Sequence, residues 1–255
     1  MTIMENKVVW FLFDGSGIGG LPWAEEGYTV YCFNADDGDH GSYSKLKCRV
    51  EHPNIHYVNV WIDDEWCMEA AQGVSWGKPV FIAAWPPCTD MAVSGARHFK
   101  TKLEADPECQ NKAAAMARIA ETLGNTFNVP YMVENPVSIL STLWRKPDFM
   151  FHPCEYGGYL PENDQHPSFP EYIRARDAYF KKTCIWAGNG FKMPEKKCVD
   201  VNKGDLIYSI QYSKLGGKSL KTKTIRSLTP RGFARAVFEA NKGVNNDKET
   251  GGVSS

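Results

Sequence analysis

Six short apolar runs punctuate this chain, and each stops at polar or glycine-rich residues. Val8-Val9-Trp10-Phe11-Leu12-Phe13 halts at Asp14-Gly15, and Thr29-Val30-Tyr31-Cys32-Phe33 ends just before Asp36. His56-Tyr57-Val58-Asn59-Val60 is a weaker third run. Pro79-Val80-Phe81-Ile82-Ala83-Ala84, Tyr131-Met132-Val133-Glu134 and Cys184-Ile185-Trp186-Ala187 follow. Unbroken runs of this length predict strands buried on both faces, the pattern of a parallel sheet. Between the fourth and fifth, Met116, Ile119, Leu123 and Phe127 recur at helical spacing, which predicts a helix over residues 105–127. Strands alternating with helical segments give an open α/β sheet as the expected fold class.

Composition narrows the function classes. The chain has 255 residues, 43% of them apolar, enough for one large domain or one domain with a small appendage. Net charge is −1, so any nucleic-acid surface must be a local patch. Such a patch is visible: residues 206–238 contain no Asp or Glu but hold Lys214, Lys218, Lys221, Lys223, Arg226, Arg231 and Arg235. The eight cysteines form no CxxC pair, so neither a zinc site nor a disulfide framework is expected. Reduced thiols, no metal and a cytoplasmic location are the corresponding expectations. No run approaches the roughly 18 apolar residues of a membrane span, and the N-terminus has no signal-peptide pattern. Residues 244–255 are polar and rich in Gly and Ser, the composition of a disordered tail.

Four motifs carry chemistry. Phe13-Asp14-Gly15-Ser16-Gly17 follows the first strand as a glycine-rich turn, where a ligand can approach the backbone. Pro86-Pro87-Cys88 follows the fourth strand, at the strand ends where open α/β sheets bind ligands, on a loop stiffened by two prolines. A cysteine there can be a nucleophile once deprotonated. Glu134-Asn135-Pro136 ends the fifth strand and would face the same crevice. Arg226-Ser227-Leu228-Thr229-Pro230-Arg231 opens a closing helix, with Thr229 read as its N-cap and Pro230 as its first residue. Alone, each has a plainer reading: a tight turn, a buried thiol, a loop carboxylate, a solvated cationic face.

Their order distinguishes them. The succession FxGxG, PPC with a downstream serine, ENP and RxLTPR resembles the cytosine-C5 DNA methyltransferase family over roughly residues 8–240. The resemblance implies a Rossmann-like S-adenosylmethionine-dependent methyltransferase sheet with a small C-terminal basic recognition segment. It divides the chain into a catalytic core (1–190), a short target-recognition segment (191–225), a helix returning to the core (226–243) and the tail. It implies Cys88 as nucleophile and Glu134 as the group on the cytosine edge. Lys182, or its neighbour Lys181, takes the place of the family's RxR arginines. The cofactor set would be Phe13, Asp14, Gly15, Gly17, Asn34, Asp36, Asp63 and Pro87. Ser94, Arg97, Asn135, Lys214, Lys218, Lys221, Lys223, Arg226 and Thr229 would meet the DNA.

Three departures stand out. Asn34 occupies the place of the acidic residue after the second strand, with Asp36 as its substitute, and Pro136 replaces the family's valine. The QxRxR motif is not intact, although Arg174-Ala175-Arg176 lies upstream. The compact pattern resembles methyltransferases carried by bacteriophages, which act in a bacterial host's cytoplasm. The implied activity is methyl transfer to carbon 5 of a flipped-out cytosine through a covalent Cys88 adduct, with duplex DNA as partner and no obligate protein partner. The same fold acting on a free cytosine nucleotide, or transferring another group, is the nearest alternative. A catalytically inactive DNA-binding module and a thiol redox protein are the others. The presence of Cys88 with Glu134 weighs against the former, and the lack of a resolving cysteine near Cys88 against the latter.

Overall fold

A computed structural model of the chain describes residues 7–37, 48–205, 211, 214–215 and 219–243. The elements run β1 (Val8–Leu12), α1 (Leu21–Glu25), β2 (Thr29–Asn34), β3 (Ile55–Asn59), α2 (Asp64–Ala70), β4 (Pro79–Ala84), α3 (Phe99–Ala105), α4 (Cys109–Phe127), β5 (Tyr131–Pro136), α5 (Leu140–Leu143), β6 (Phe149–Phe151), β7 (Thr183–Gly188), α6 (Leu220–Ser227) and α7 (Arg231–Asn241). The seven strands form one sheet in the order β3-β2-β1-β4-β5-β7-β6. β1 to β5 pair in parallel, and β7 runs antiparallel between β5 and β6. The fold is Rossmann-like: β1 has β2 on one side and β4 on the other, so the strand order reverses there and opens a crevice beyond the strands' carboxyl ends.

Both faces of the sheet are covered, as the unbroken apolar runs require. In β1, Trp10 and Leu12 join Phe33, Ile82, Trp186 and the buried alanines of α4 on one face. Val9 and Phe11 join Trp23 of α1 and Phe233 and Phe238 of α7 on the other. A smaller apolar cluster joins Ile18 of the glycine-rich turn to Phe169, Ile173, Tyr179, Leu215, Ile225 and Leu228. It ties the basic C-terminal stretch to the mouth of the crevice.

Several expectations are corrected. The helix expected over 105–127 begins only at Cys109, because Pro107 disfavours helical backbone at Asp106, which is extended (φ −145°, ψ 99°); Ala105 ends the preceding helix, α3. Thr229 is not the N-cap of α7. Pro230 takes that position with ψ 125°, and the helix begins at Arg231. Residues 191–199 pack against the body of the sheet: Phe191 lies near Phe81 and Phe149, and Lys197 O and Cys154 O accept bonds from Gly158 and Val199. Lys218 and the tail expected to be disordered lie outside the described residues.

Candidate active site

Asp14 leaves β1 and is buried; its Oδ1 accepts from Ser16 N (3.0 Å), Ser16 Oγ (2.8 Å) and Gly17 N (2.9 Å). These bonds wind residues 14–17 into a turn. Phe13 enters it at φ +59° and Gly17 leaves at φ +73°, the left-handed region. A Cβ at Gly17 would stand 2.1 Å from the Tyr57 hydroxyl, which bonds Ser16 O and Val50 O. Asp14 Oδ2 is buried and has no hydrogen-bond partner, and burial raises the pKa of its carboxyl. Gly15 sits in the turn, its carbonyl accepting from Arg49 Nε (3.0 Å). Arg49 also bonds Asp36 Oδ1 (2.8 Å), which accepts from Asn34 Nδ2 (3.0 Å). Asp63 spends Oδ1 on Trp66 N (2.9 Å), capping α2.

Glu134 and Asn135 close β5. Asn135 is buried and its Nδ2 donates to Pro86 O (3.0 Å), binding two motifs 49 residues apart. The loops beyond are zipped together. Ala92 bridges Ser138, Val93 N donates to Val137 O (3.1 Å) and Ile139 N to Met91 O (3.0 Å). Cys88 O accepts from Met91 N (3.0 Å) and Ala92 N (2.8 Å), and Lys102 Nζ holds Thr89 O (2.6 Å) and Asp90 Oδ1 (2.8 Å). Pro87 and Cys88 are thus clamped from both sides. Asn135 Oδ1, like Asp14 Oδ2, is a buried acceptor with no partner in the protein.

Electrostatics identify what faces Cys88. Its thiol is pushed up chiefly by burial, pulled down by Lys181 and pushed up again by Glu134. Glu134, buried, is raised by desolvation and opposed by Lys181. Lys181 is therefore the cation shared by both groups, its ammonium fixed on Arg226 O (2.9 Å). Lys182 acts instead on His152 and Cys184. Tyr179, buried beside this group, is raised by burial and by Asp177, and its hydroxyl is linked to Gln211. No periodicity or motif marks Tyr179, Arg49 or Lys102.

The residues expected to meet DNA stand on separate elements. Ser94 and Arg97 are exposed on the turn Val93–His98 that leaves the Cys88 loop, and Arg97 Nε donates to His98 Nε2 (3.0 Å). Lys214 Nζ reaches Glu171 O (3.4 Å), and Lys221 Nζ bonds Tyr172 Oη (3.1 Å). Lys223 is half-buried and Arg226 exposed on α6, while Thr229 is buried.

No protein-family model matches the chain, and no curated protein matches it. Among solved structures it is similar to a prophage-encoded E. coli protein provisionally described as a DNA modification methyltransferase, at 14% identity and a TM-score of 0.40. The match covers 71% of this chain and 46% of that one, so this chain spans less than half of that protein's length. No helix among the described residues is long and apolar enough to cross a membrane.

Proposed function

We propose that the chain is a DNA methyltransferase that modifies carbon 5 of cytosine through a covalent bond to Cys88. The observation that supports this reading is that Lys181, just before β7, acts on the charge of both Cys88, beyond β4, and the buried Glu134, near the end of β5. S-adenosylmethionine, when bound, supplies an electrophilic methyl group on a sulfonium. The turn of residues 13–17 suits its cationic end, because the buried unpartnered Asp14 Oδ2 accepts from an ammonium or faces a positive charge. Asp63, an exposed carboxylate past β3, and Asp36 through Oδ2 remain for hydroxyl donors.

The chain's own groups then divide the work. Carbon 5 of cytosine is a poor nucleophile in an aromatic ring. The Cys88 thiolate adds to carbon 6 and places electron density on carbon 5. Burial keeps Glu134 protonated to higher pH, so it can hydrogen-bond ring nitrogen N3 as negative charge develops there. Lys181 favours the thiolate against the desolvation that opposes it. Asn135 Oδ1 is left to accept from a base amino group, while its Nδ2 fixes the Pro86 loop. After transfer, loss of the carbon-5 proton expels the thiolate. A target inside a duplex must first leave the stack, at about a few kcal/mol.

Tritium transfer from labelled S-adenosylmethionine to duplex DNA, single-stranded DNA and dCMP tests this. Duplex labelling, with a denaturation-resistant adduct on 5-fluorocytosine DNA, is expected. Labelling of dCMP alone would move the substrate to the free nucleotide, and turnover without an adduct would remove Cys88 from the mechanism.

A further inference from the structure

The segment before β7 and residues 198–202 line an open cavity of about 750 Å³ that shares no lining residue with Cys88, Glu134 and Lys181. His166, Arg174, Arg176 and Asp200 are on its wall. His166 is only 3% exposed. Its Nδ1 accepts from Phe169 N (3.0 Å) and Ser168 N (3.3 Å), so Nδ1 carries no proton and Nε2 does. Nε2 is buried and has no partner in the protein, leaving a desolvated donor unsatisfied. Burial and Arg231 lower the imidazole pKa to about 4, so it stays a neutral donor at physiological pH. Arg176 is held by Nε donating to Gly157 O (3.3 Å). Two planar guanidiniums and an imidazole N–H suit the several acceptor oxygens of a tetrahedral phosphate. Asp200 is an acceptor that a bare anion would avoid. It suits a ligand that also bears N–H or O–H donors, as a nucleotide does.

The surroundings agree. Lys214 and Lys221 are bonded to Glu171 and Tyr172, a few residues before Arg174, so four cations gather along residues 171–176. We infer that this cavity is a nucleotide-phosphate site, separate from the Cys88 crevice. The inference rests on the proposed function only in that a DNA strand flanking the target is one source of the phosphate; a free nucleotide is the other.

Full-length protein would be titrated with inorganic phosphate, with dTMP, which lacks the cytosine edge and so avoids the Cys88 crevice, and with a labelled DNA duplex. Arg174→Gln/Arg176→Gln is expected to weaken binding at least tenfold and to lower the DNA log–log salt slope by about 0.9 for each phosphate no longer neutralised, with an unchanged melting profile. Arg174→Gln alone, at a half-exposed position, serves if the pair fails to fold. Loss confined to DNA assigns the site to the polymer, and loss with dTMP assigns it to a free nucleotide. Equal binding by wild type and variant, or no binding of any probe, overturns the inference. Arginine-dependent dTMP binding in a protein that transfers no methyl group would refute the proposed reaction and leave this site standing.

Discussion

Cys88 sits where burial works against its own reactivity, and Lys181 offsets part of that cost. Cys88→Ala is expected to abolish methyl transfer while S-adenosylmethionine still binds by calorimetry; turnover near the wild-type rate would end the covalent mechanism. Glu134→Gln should slow transfer by about 10²–10⁴, the usual contribution of a positioned acid, measured in single turnover. Lys181→Met has a sign fixed by the electrostatics. Removing the cation raises the thiol further, so the pH at which half of Cys88 is thiolate moves up. Alkylation of the Cys88 peptide with iodoacetamide, followed by mass spectrometry, should show an alkaline midpoint in the wild type and a more alkaline one in the variant. An unmoved midpoint would mean that Lys181 does not govern the thiol. Lys182→Met, acting on His152 and Cys184, should leave it in place.

At the scale of elements, α7 is docked by charges from the segment before β7. Arg231 forms a two-pronged pair with Asp164 (2.8 and 2.6 Å), and Gly232 N donates to the buried Asp177 (2.8 Å). A Cβ on Gly232 would stand 2.4 Å from Tyr156 O, so Gly232→Ala should cost about 1–3 kcal/mol in thermal unfolding. Burial raises Asp177 to about 6. Its folded pKa exceeds the unfolded value, so the native state holds a proton that the unfolded chain releases, and stability falls as pH rises through 6. Denaturant melts at pH 5 and 7 should show stability lost toward pH 7, at no more than about 1.4 kcal/mol per pH unit from this group, and less of that trend in Asp177→Asn. Much of this scale is legible in sequence. Six strands announce themselves because a sheet covered on both faces demands apolar runs, the antiparallel β7 included, and the edge strand β3 shows the weakest. β6 does not: it is three residues long at a sheet edge, with Phe149 and Met150 exposed. Pro107 is a readable limit just ahead of the helical pattern. The cap of α7 is not readable, since Asp177 lies 55 residues from Gly232 and no local pattern encodes a tertiary cap. Cys88 and Glu134 can be paired from strand ends alone. Which lysine faces them cannot, because it depends on how the chain enters an antiparallel strand.

On the whole molecule, charge is nearly balanced at −1, yet residues 206–238 hold seven cations and no carboxylate. Long-range attraction of DNA to the chain as a whole is therefore weak, and affinity must come from where these cations stand. The apolar cluster linking Ile18, Tyr179, Leu215 and Ile225 fixes the basic stretch against the body that carries the crevice. Lys214 and Lys221 hang from residues 171 and 172 on that same body. A strand tracking these cations would thus be held at a set distance from Cys88. Changing Lys214, Lys218, Lys221 and Lys223 together to Gln should weaken DNA binding and flatten its salt dependence, by about 0.9 in log–log slope for each phosphate left without its cation. S-adenosylmethionine affinity should hold, since the turn of residues 13–17 is held by Asp14, Ser16 and Arg49. Anisotropy titrations across a salt series measure the slope, and calorimetry the cofactor. An unchanged slope would make these lysines a solvated face and leave Arg97, Lys100, Arg174 and Arg176 to carry the DNA. A slope that falls while dTMP binding persists would show that the lysines and the His166 cavity serve different phosphates.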